Sequence, residues 1–266
     1  PLFLDIKASP SFPTTGDWLN LSTNVTDNGM LMNDSVKINY HLNGSWENMK
    51  MKHLNDNRFC INLTVDGSKE FTYYFSAEDD NGYIGHSSME LIPLKDDDNP
   101  IFKDFSESFG TTGDNYTFNI SAIDNVAISH VNVTWSHGVK GNTQSMFSHD
   151  NGSYTLNITL DHSISDMVYR ITVSDTSGNK VTGQQVTVVV NDNDLPSYID
   201  IILDPERPVT GFLDIRAELS DNIGISQPTL NYRLDNTSYY TSLTTYTRID
   251  DTYIFTILIP HTTDQL

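Results

Sequence analysis

An acidic, proline-ended phrase recurs along this chain at the interval of a small domain, and that spacing restricts the fold more than any other feature. Lys95-Asp96-Asp97-Asp98-Asn99-Pro100 and Asn191-Asp192-Asn193-Asp194-Leu195-Pro196 each follow an alternating apolar run, and Pro1 stands where a third such phrase would end. Pro100 and Pro196 lie 96 residues apart. Gly16, Gly113 and Gly211 keep intervals of 97 and 98, and Asp27-Asn28, Asp124-Asn125 and Asp221-Asn222 keep 97 and 97. A period of this size exceeds a solenoid repeat and equals one globular module. The chain therefore divides into tandem copies at 1–96, 97–193 and 194–266.

Within each copy the apolar residues alternate with polar ones, which is the period of a half-buried strand. Leu19, Leu21, Thr23 and Val25 are answered by Tyr116, Phe118, Ile120 and Ala122; Val36, Ile38 and Tyr40 by Val131, Val133 and Trp135. Phe59, Ile61, Leu63 and Val65 are answered by Tyr154, Leu156, Ile158 and Leu160, and Tyr73, Phe75 and Ala77 by Tyr169, Ile171 and Val173. No window carries a helical period. Strands of this length between Asn, Asp and Gly turns predict an all-β chain of tandem seven-stranded antiparallel sandwiches of the immunoglobulin type. Trp135 and Tyr169 sit where such sandwiches keep a buried aromatic and a tyrosine corner.

The third copy lacks counterparts of Tyr169 to Val190. Six side chains, Leu213, Ile215, Tyr232, Phe255, Ile257 and Ile259, are then expected to face an open side. Either continuation of the chain past Leu266 or a strand from a neighbouring chain is expected to complete it.

A formal net charge of −20, from 15 Lys and Arg against 35 Asp and Glu, excludes phosphate backbones as partners, so no nucleic acid is expected. The chain is 37% apolar and 11% aromatic, enough to build cores. Cys60 is the lone cysteine, so no intrachain disulfide forms, and on a strand it reads as a small core residue. No run approaches the length of a membrane span, and no basic-then-apolar leader opens the sequence. With no initiator Met, the chain is expected to be a segment of something longer.

The topology of such a sandwich places the acidic residues. The loops that follow its second and sixth strands gather at the end where the first strand begins, against the linker arriving from the preceding module. At the first joint this brings Asp96, Asp97 and Asp98 toward Asp124, Asn125 and Asp175; at the second it brings Asp192, Asn193 and Asp194 toward Asp221 and Asn222. Converging carboxylates repel by about 1 kcal/mol per pair at 4 Å even in bulk water, and more when desolvated. A calcium ion, which takes about six to eight oxygen ligands in irregular geometry, relieves this; a solvated acidic hinge is the alternative.

At these residues the chain resembles cadherin-like and related immunoglobulin-like tandem repeats of cell surfaces. Tyr169-Arg170-Ile171-Thr172-Val173-Ser174-Asp175, running through Val186-Thr187-Val188-Val189-Val190 into Asn191-Asp192-Asn193-Asp194-Leu195-Pro196, is similar to the end of a cadherin repeat. The resemblance implies calcium held by the linker and the loops beside it, stiffening the array. The family's leading linker Asp falls on Leu94 and Val190 here, which implies fewer ions per joint. The Asp-Asn-x-x-Ile phrases at Asp124 to Ile128 and Asp221 to Ile225 resemble prokaryotic immunoglobulin-like repeats of secreted and surface-layer proteins.

N-glycosylation sequons stand at Asn20, Asn24, Asn33, Asn43, Asn62, Asn115, Asn119, Asn132, Asn151, Asn157 and Asn236. Asn24, Asn62, Asn119, Asn132 and Asn157 take the outward positions of their strands, opposite the apolar set, as either glycan sites or ordinary polar surface. Sequon density with acidity resembles archaeal surface-layer and filament glycoproteins. No HExxH, GxSxG or phosphate-loop pattern occurs. His130 and His137 have odd spacing, which sends them to opposite faces of one strand, so no enzyme is expected. The expected role is a structural or adhesive extracellular glycoprotein segment at the cell surface, with calcium and N-linked glycans as its cofactors. Its partners would be copies of itself or other surface proteins. The alternative is a set of accessory modules of a larger secreted enzyme or carbohydrate-binding protein.

Overall fold

The computed structural model describes residues 1–42, 44–67, 69–206, 210–234 and 238–260. The first sandwich contains β1 (Leu2–Ser9), β2 (Trp18–Thr26), β3 (Lys37–Leu42), β4 (Ser45–Lys50), β5 (Lys52–His53), β6 (Arg58–Thr64), β7 (Glu70–Glu78), β8 (Ile84–His86) and β9 (Glu90–Pro93). One sheet has the order β1-β2-β6-β5; the other has β4-β3-β7-β8, with β9 also on β7.

The second sandwich contains β10 (Ile101–Asp104), β11 (Phe109–Thr111), β12 (Asn115–Ile123), β13 (Ile128–His137), β14 (Lys140–Ser145), β15 (Phe147–Ser148), β16 (Ser153–Thr159), β17 (Met167–Asp175), β18 (Lys180–Thr182) and β19 (Val186–Asn191). Its sheets repeat the pattern as β10-β12-β16-β15 and β11-β19-β17-β13-β14, with β18 on β17. The first strand of the module crosses between sheets, since β10 runs antiparallel to β12 and β11 parallel to β19. This is the immunoglobulin-like sandwich. The hairpin strands β4 and β14 extend one sheet beyond the seven strands expected, because β3 and β13 each turn back at a glycine, Gly44 and Gly138, that takes positive φ.

Each sandwich closes over the alternating residues read from the sequence. Leu19, Leu21, Ile38, Phe59, Phe71 and Phe75 fill the first core; Phe118, Ile120, Val133, Met167, Ile171 and Val188 fill the second. Trp135 is buried and its indole N–H donates to Gln144 Oε1 at 3.2 Å. Tyr169 is buried too, but it does not make a tyrosine corner. Its hydroxyl donates at 2.7 Å to Asp104 Oδ2 on β10, a carboxylate that accepts more strongly than a backbone carbonyl. Burial and that bond push the Tyr169 hydroxyl well above the usual phenol range. Cys60 also departs from expectation: it alternates outward from Phe59 and Ile61, half-buried between Ser22 and Lys52 on the neighbouring strands.

The third unit pairs β20 (Ser197–Asp204), β21 (Gly211–Ser220), β24 (Thr247–Ile249) and β25 (Thr252–Ile259) in the order β20-β21-β25-β24, beside a two-stranded ribbon of β22 (Leu230–Tyr232) and β23 (Thr241–Leu243). The open apolar side expected for it is corrected at the six residues named. Leu213, Ile215, Phe255 and Ile257 are buried, and Tyr232 and Ile259 half-buried, because Leu230, Leu243 and Tyr246 fold across them. The side stays open along β20, where Tyr198, Ile201 and Leu203, the register partners of Leu219, Ala217 and Ile215, are exposed. Among the described residues no helix is long and apolar enough to cross a membrane.

Candidate interdomain cation site

At the first joint the linker is tied to the module it leaves. Lys95 C=O accepts from the Thr15 N–H at 2.9 Å, and the buried Thr15 hydroxyl donates to Asp96 Oδ1 at 3.1 Å. Asp96 Oδ1 also receives the Asp98 N–H at 3.3 Å, which curls the linker into a tight acidic turn. From the next module, Asp124 caps its own loop, its Oδ2 accepting from the N–H groups of Val126 and Ala127 at 2.9 and 3.1 Å. Asp175 Oδ1 accepts from Ser177, Gly178 and Asn179 N–H groups at 2.7 to 2.9 Å. The Asn179 amide spans the joint, donating to Asp175 Oδ2 at 2.8 Å and to the Asp96 carbonyl at 3.2 Å.

These contacts bring one carboxylate oxygen each from Asp96, Asp124 and Asp175 within 4.8 Å of one another. Asp96 is 8% exposed and Asp175 3%. Among the described residues no Lys or Arg forms an ion pair with them. Three side-chain oxygens at this joint, Asp96 Oδ2, Asp124 Oδ1 and Asn125 Oδ1, are buried with no hydrogen-bond partner among the described residues. Leaving a buried acceptor unsatisfied costs about 1–3 kcal/mol, and more for a charged one, so oxygens in this state suit a bound cation. The donor set is oxygen only, which fits a hard ion such as calcium better than zinc, whose structural sites are built from Cys and His.

Asn125 Nδ2 donates to Asp98 Oδ2 at 2.6 Å and to Thr15 Oγ1 at 3.0 Å, closing the joint from the far side. Gly16, at φ +82°, makes room for this: a Cβ there would lie 2.9 Å from Asp98 Oδ2. Asp97 is exposed and takes no place in the cluster.

The second joint repeats this frame. Thr112 Oγ1 donates to Asp192 Oδ1 at 3.0 Å and the Asp194 N–H to the same oxygen at 3.3 Å. Asn222 Nδ2 donates to Asp194 Oδ2 at 2.6 Å and to Thr112 Oγ1 at 2.9 Å. Asp221 Oδ1 caps its loop through Ile223 and Gly224, and Asn222 Oδ1 is again buried without a partner. Asn193 turns away, its amide donating to Asp114 at 3.0 Å. No described residue supplies the third carboxylate that Asp175 gives the first joint. Thr15 and Thr112 escaped the sequence reading, although the repeated phrases Thr14-Thr15-Gly16-Asp17 and Thr111-Thr112-Gly113-Asp114 were there to mark them.

Charge at the first joint has a pH signature. Burial, reinforced by Asp97 and Asp96, holds the Asp98 carboxyl above its ordinary value. Its contribution to stability is therefore lost as pH rises through that raised value. Burial also pushes Asp175 upward, but the Asn179 amide and three N–H groups outweigh it and hold that carboxyl below the ordinary value. Its contribution is lost as pH falls through the lowered value. With chelator present, melting followed across acidic pH is expected to show greatest stability between these two windows, and Asp98→Asn is expected to flatten the decline on the high-pH side.

The sequon asparagines fall mostly on one sheet of each module. Asn20 and Asn24 lie on β2, Asn62 on β6, Asn115 and Asn119 on β12 and Asn157 on β16, all exposed or half-buried. Asn132 lies on β13, Asn33 opens a 3-10 turn and Asn151 sits in a turn. Asn43 and Asn236 lie outside the described residues. Asn20 and Asn62 are cross-strand neighbours, and Asn20 Nδ2 donates a hydrogen bond to Asn62 Oδ1 at 2.6 Å.

No family model matches the chain. No curated protein matches it either. Among solved structures, it is similar to the titin I-band fragment I67–I69, at 14% identity over 99% of this chain and 89% of that one, with a TM-score of 0.40. It is also similar to fibronectin(III)-like modules of Clostridium thermocellum CbhA, at 12% identity over 71% and 95%, with a TM-score of 0.30. The fold assignment rests on the sheet order and register above.

Proposed function

We propose that this chain is a spacer or adhesive segment of an extracellular surface glycoprotein, in which calcium at the joints sets the angle between successive sandwiches. The observation that carries this reading is the trio of buried, unpartnered oxygens on Asp96, Asp124 and Asn125. They come from the linker and the following module, so one ion bound there would couple the two bodies. The residues that would hold it are Asp96, Asp124, Asn125 and Asp175 at the first joint. Asp192, Asp221 and Asn222 would do so more weakly at the second, where no third carboxylate stands by. Calcium supplies no chemistry here beyond charge neutralisation and cross-linking of oxygens. Small-angle scattering of the full chain tests the role: calcium should lengthen and narrow the distance distribution relative to chelator, and a spacer reading does not survive an unchanged one.

The surface setting is supported by the outward sequons. Asn24, Asn62, Asn119, Asn132 and Asn157 are expected to carry glycans in native material, because a glycan there meets solvent while the alternate strand positions lead into the core. Peptide mass spectrometry decides this, and bare asparagine at all five would remove the glycoprotein part of the proposal.

A further inference from the structure

The outer face of the first sandwich's β4-β3-β7-β8 sheet carries a strip of rings that the core does not use. Trp46 on β4 is 51% exposed. Its ring lies 5.5 Å from that of His41 on β3 and 5.6 Å from that of Tyr74 on β7, and Tyr74 lies 5.6 Å from His86 on β8. The register pairs His41 with Trp46, Asn39 with Tyr74 and Ser76 with His86, so the strip crosses the sheet diagonally. Four strands span about 14 Å.

The same sandwich core closes elsewhere in the chain without rings at these positions. Counting from the buried Tyr40 and Tyr73, which match Trp135 and Tyr169, the second sandwich has Ser136, Gly141, Arg170 and Thr182 in their places and closes its core in the same way. The groups between and beside the rings are neutral: Asn39 and Ser76, joined at 2.9 Å, with Asn48 and Thr72. The nearest charges are at the margins, where Lys37, Glu70 and Glu78 stand and Lys50 pairs with Asp34. In a chain of net charge −20, no described carboxylate stands between the rings, and Glu70 and Glu78 flank them.

We propose that the strip docks a neutral saccharide chain. Aromatic faces take the apolar C–H faces of sugar rings, and the amides and hydroxyls beside them meet sugar hydroxyls, the mixture of apolar wall and few polar groups that small-molecule sites use. Charge selects among the occupants. A polyanion is repelled by the chain as a whole, and single-stranded nucleic acid, which stacks on similar platforms, needs a cationic groove that is absent along the described strip. A basic peptide would be drawn to the joints, where the carboxylates are, and a second copy brings the same negative charge. This inference does not depend on calcium or on glycosylation.

The full chain should be titrated with cellohexaose, maltohexaose, chitohexaose and mannohexaose, and with hexagalacturonate as the anionic comparison, by calorimetry and tryptophan emission. At least one neutral hexamer is expected to bind. Trp46→Ala should weaken that binding at least about tenfold, and Tyr74→Ala should also weaken it, while Trp46→Phe keeps most of it. Trp18→Ala, on the opposite sheet, should leave it unchanged, and unaltered melting of Trp46→Ala shows that the module still folds. Failure of all four neutral sugars to bind overturns the proposal. So do binding indifferent to Trp46→Ala, preference for hexagalacturonate, and self-association that depends on Trp46.

Discussion

Calcium added to the chelated chain is expected to raise the melting temperature of the modules flanking Asp96 to Pro100 by about 10 °C. An ion present at a hundredfold excess over its Kd stabilises the ordered joint by about 2.7 kcal/mol, and a module of this size shifts by at least about 4 °C per kcal/mol. The variants that test it follow from the geometry. Asp96→Ala and Asp124→Ala each remove an oxygen of the buried trio and should abolish the shift, whereas Asp97→Ala, exposed and outside the cluster, should preserve it. A response that Asp97→Ala weakens as much as Asp96→Ala would mean diffuse charge screening by the acidic linker instead of a site. Calorimetry with calcium and with chelator separates the two.

Phe118→Ala is expected to destabilise the second sandwich by about 3–5 kcal/mol, the range for truncating a buried phenylalanine. Phe118 is completely buried on β12, and its ring meets those of Tyr116 and Tyr169 edge-on at 5.1 and 5.0 Å. Removing it leaves a cavity and frees Tyr169, the residue that crosses to Asp104 on the first strand of the module. Denaturant unfolding should show the second module melting first and the first module nearly unmoved, since Phe118 has no part in the first core. Equal loss in both modules would show that they unfold as one unit.

The two predictions differ in how far the sequence supports them. Phe118 was legible from alternation alone, because a strand with one buried face leaves no choice about which residues point inward. The same logic identified Leu19, Ile120, Val133, Tyr169 and Phe255 as core. It misjudged Cys60, whose chemistry suggested burial while its parity on β6 turns it outward. It could not foresee that Tyr246 and the β22–β23 ribbon would cover Leu213 and Phe255, since that depends on how a long irregular stretch folds back.

For the joint, the sequence by itself determined the period, the strand faces and the end of the module at which Asp96, Asp124 and Asp175 gather, because repeat spacing and antiparallel topology follow from local pattern. Only the tertiary structure decided which oxygens remain over once the loops have capped themselves. Val126 and Ala127 take one oxygen of Asp124 and Thr15 takes one of Asp96, while Asp97, between two engaged neighbours, points to solvent. Hydrogen-bond satisfaction is a property of the closed joint, assembled from segments about 80 residues apart, and no reading along the chain can assign it.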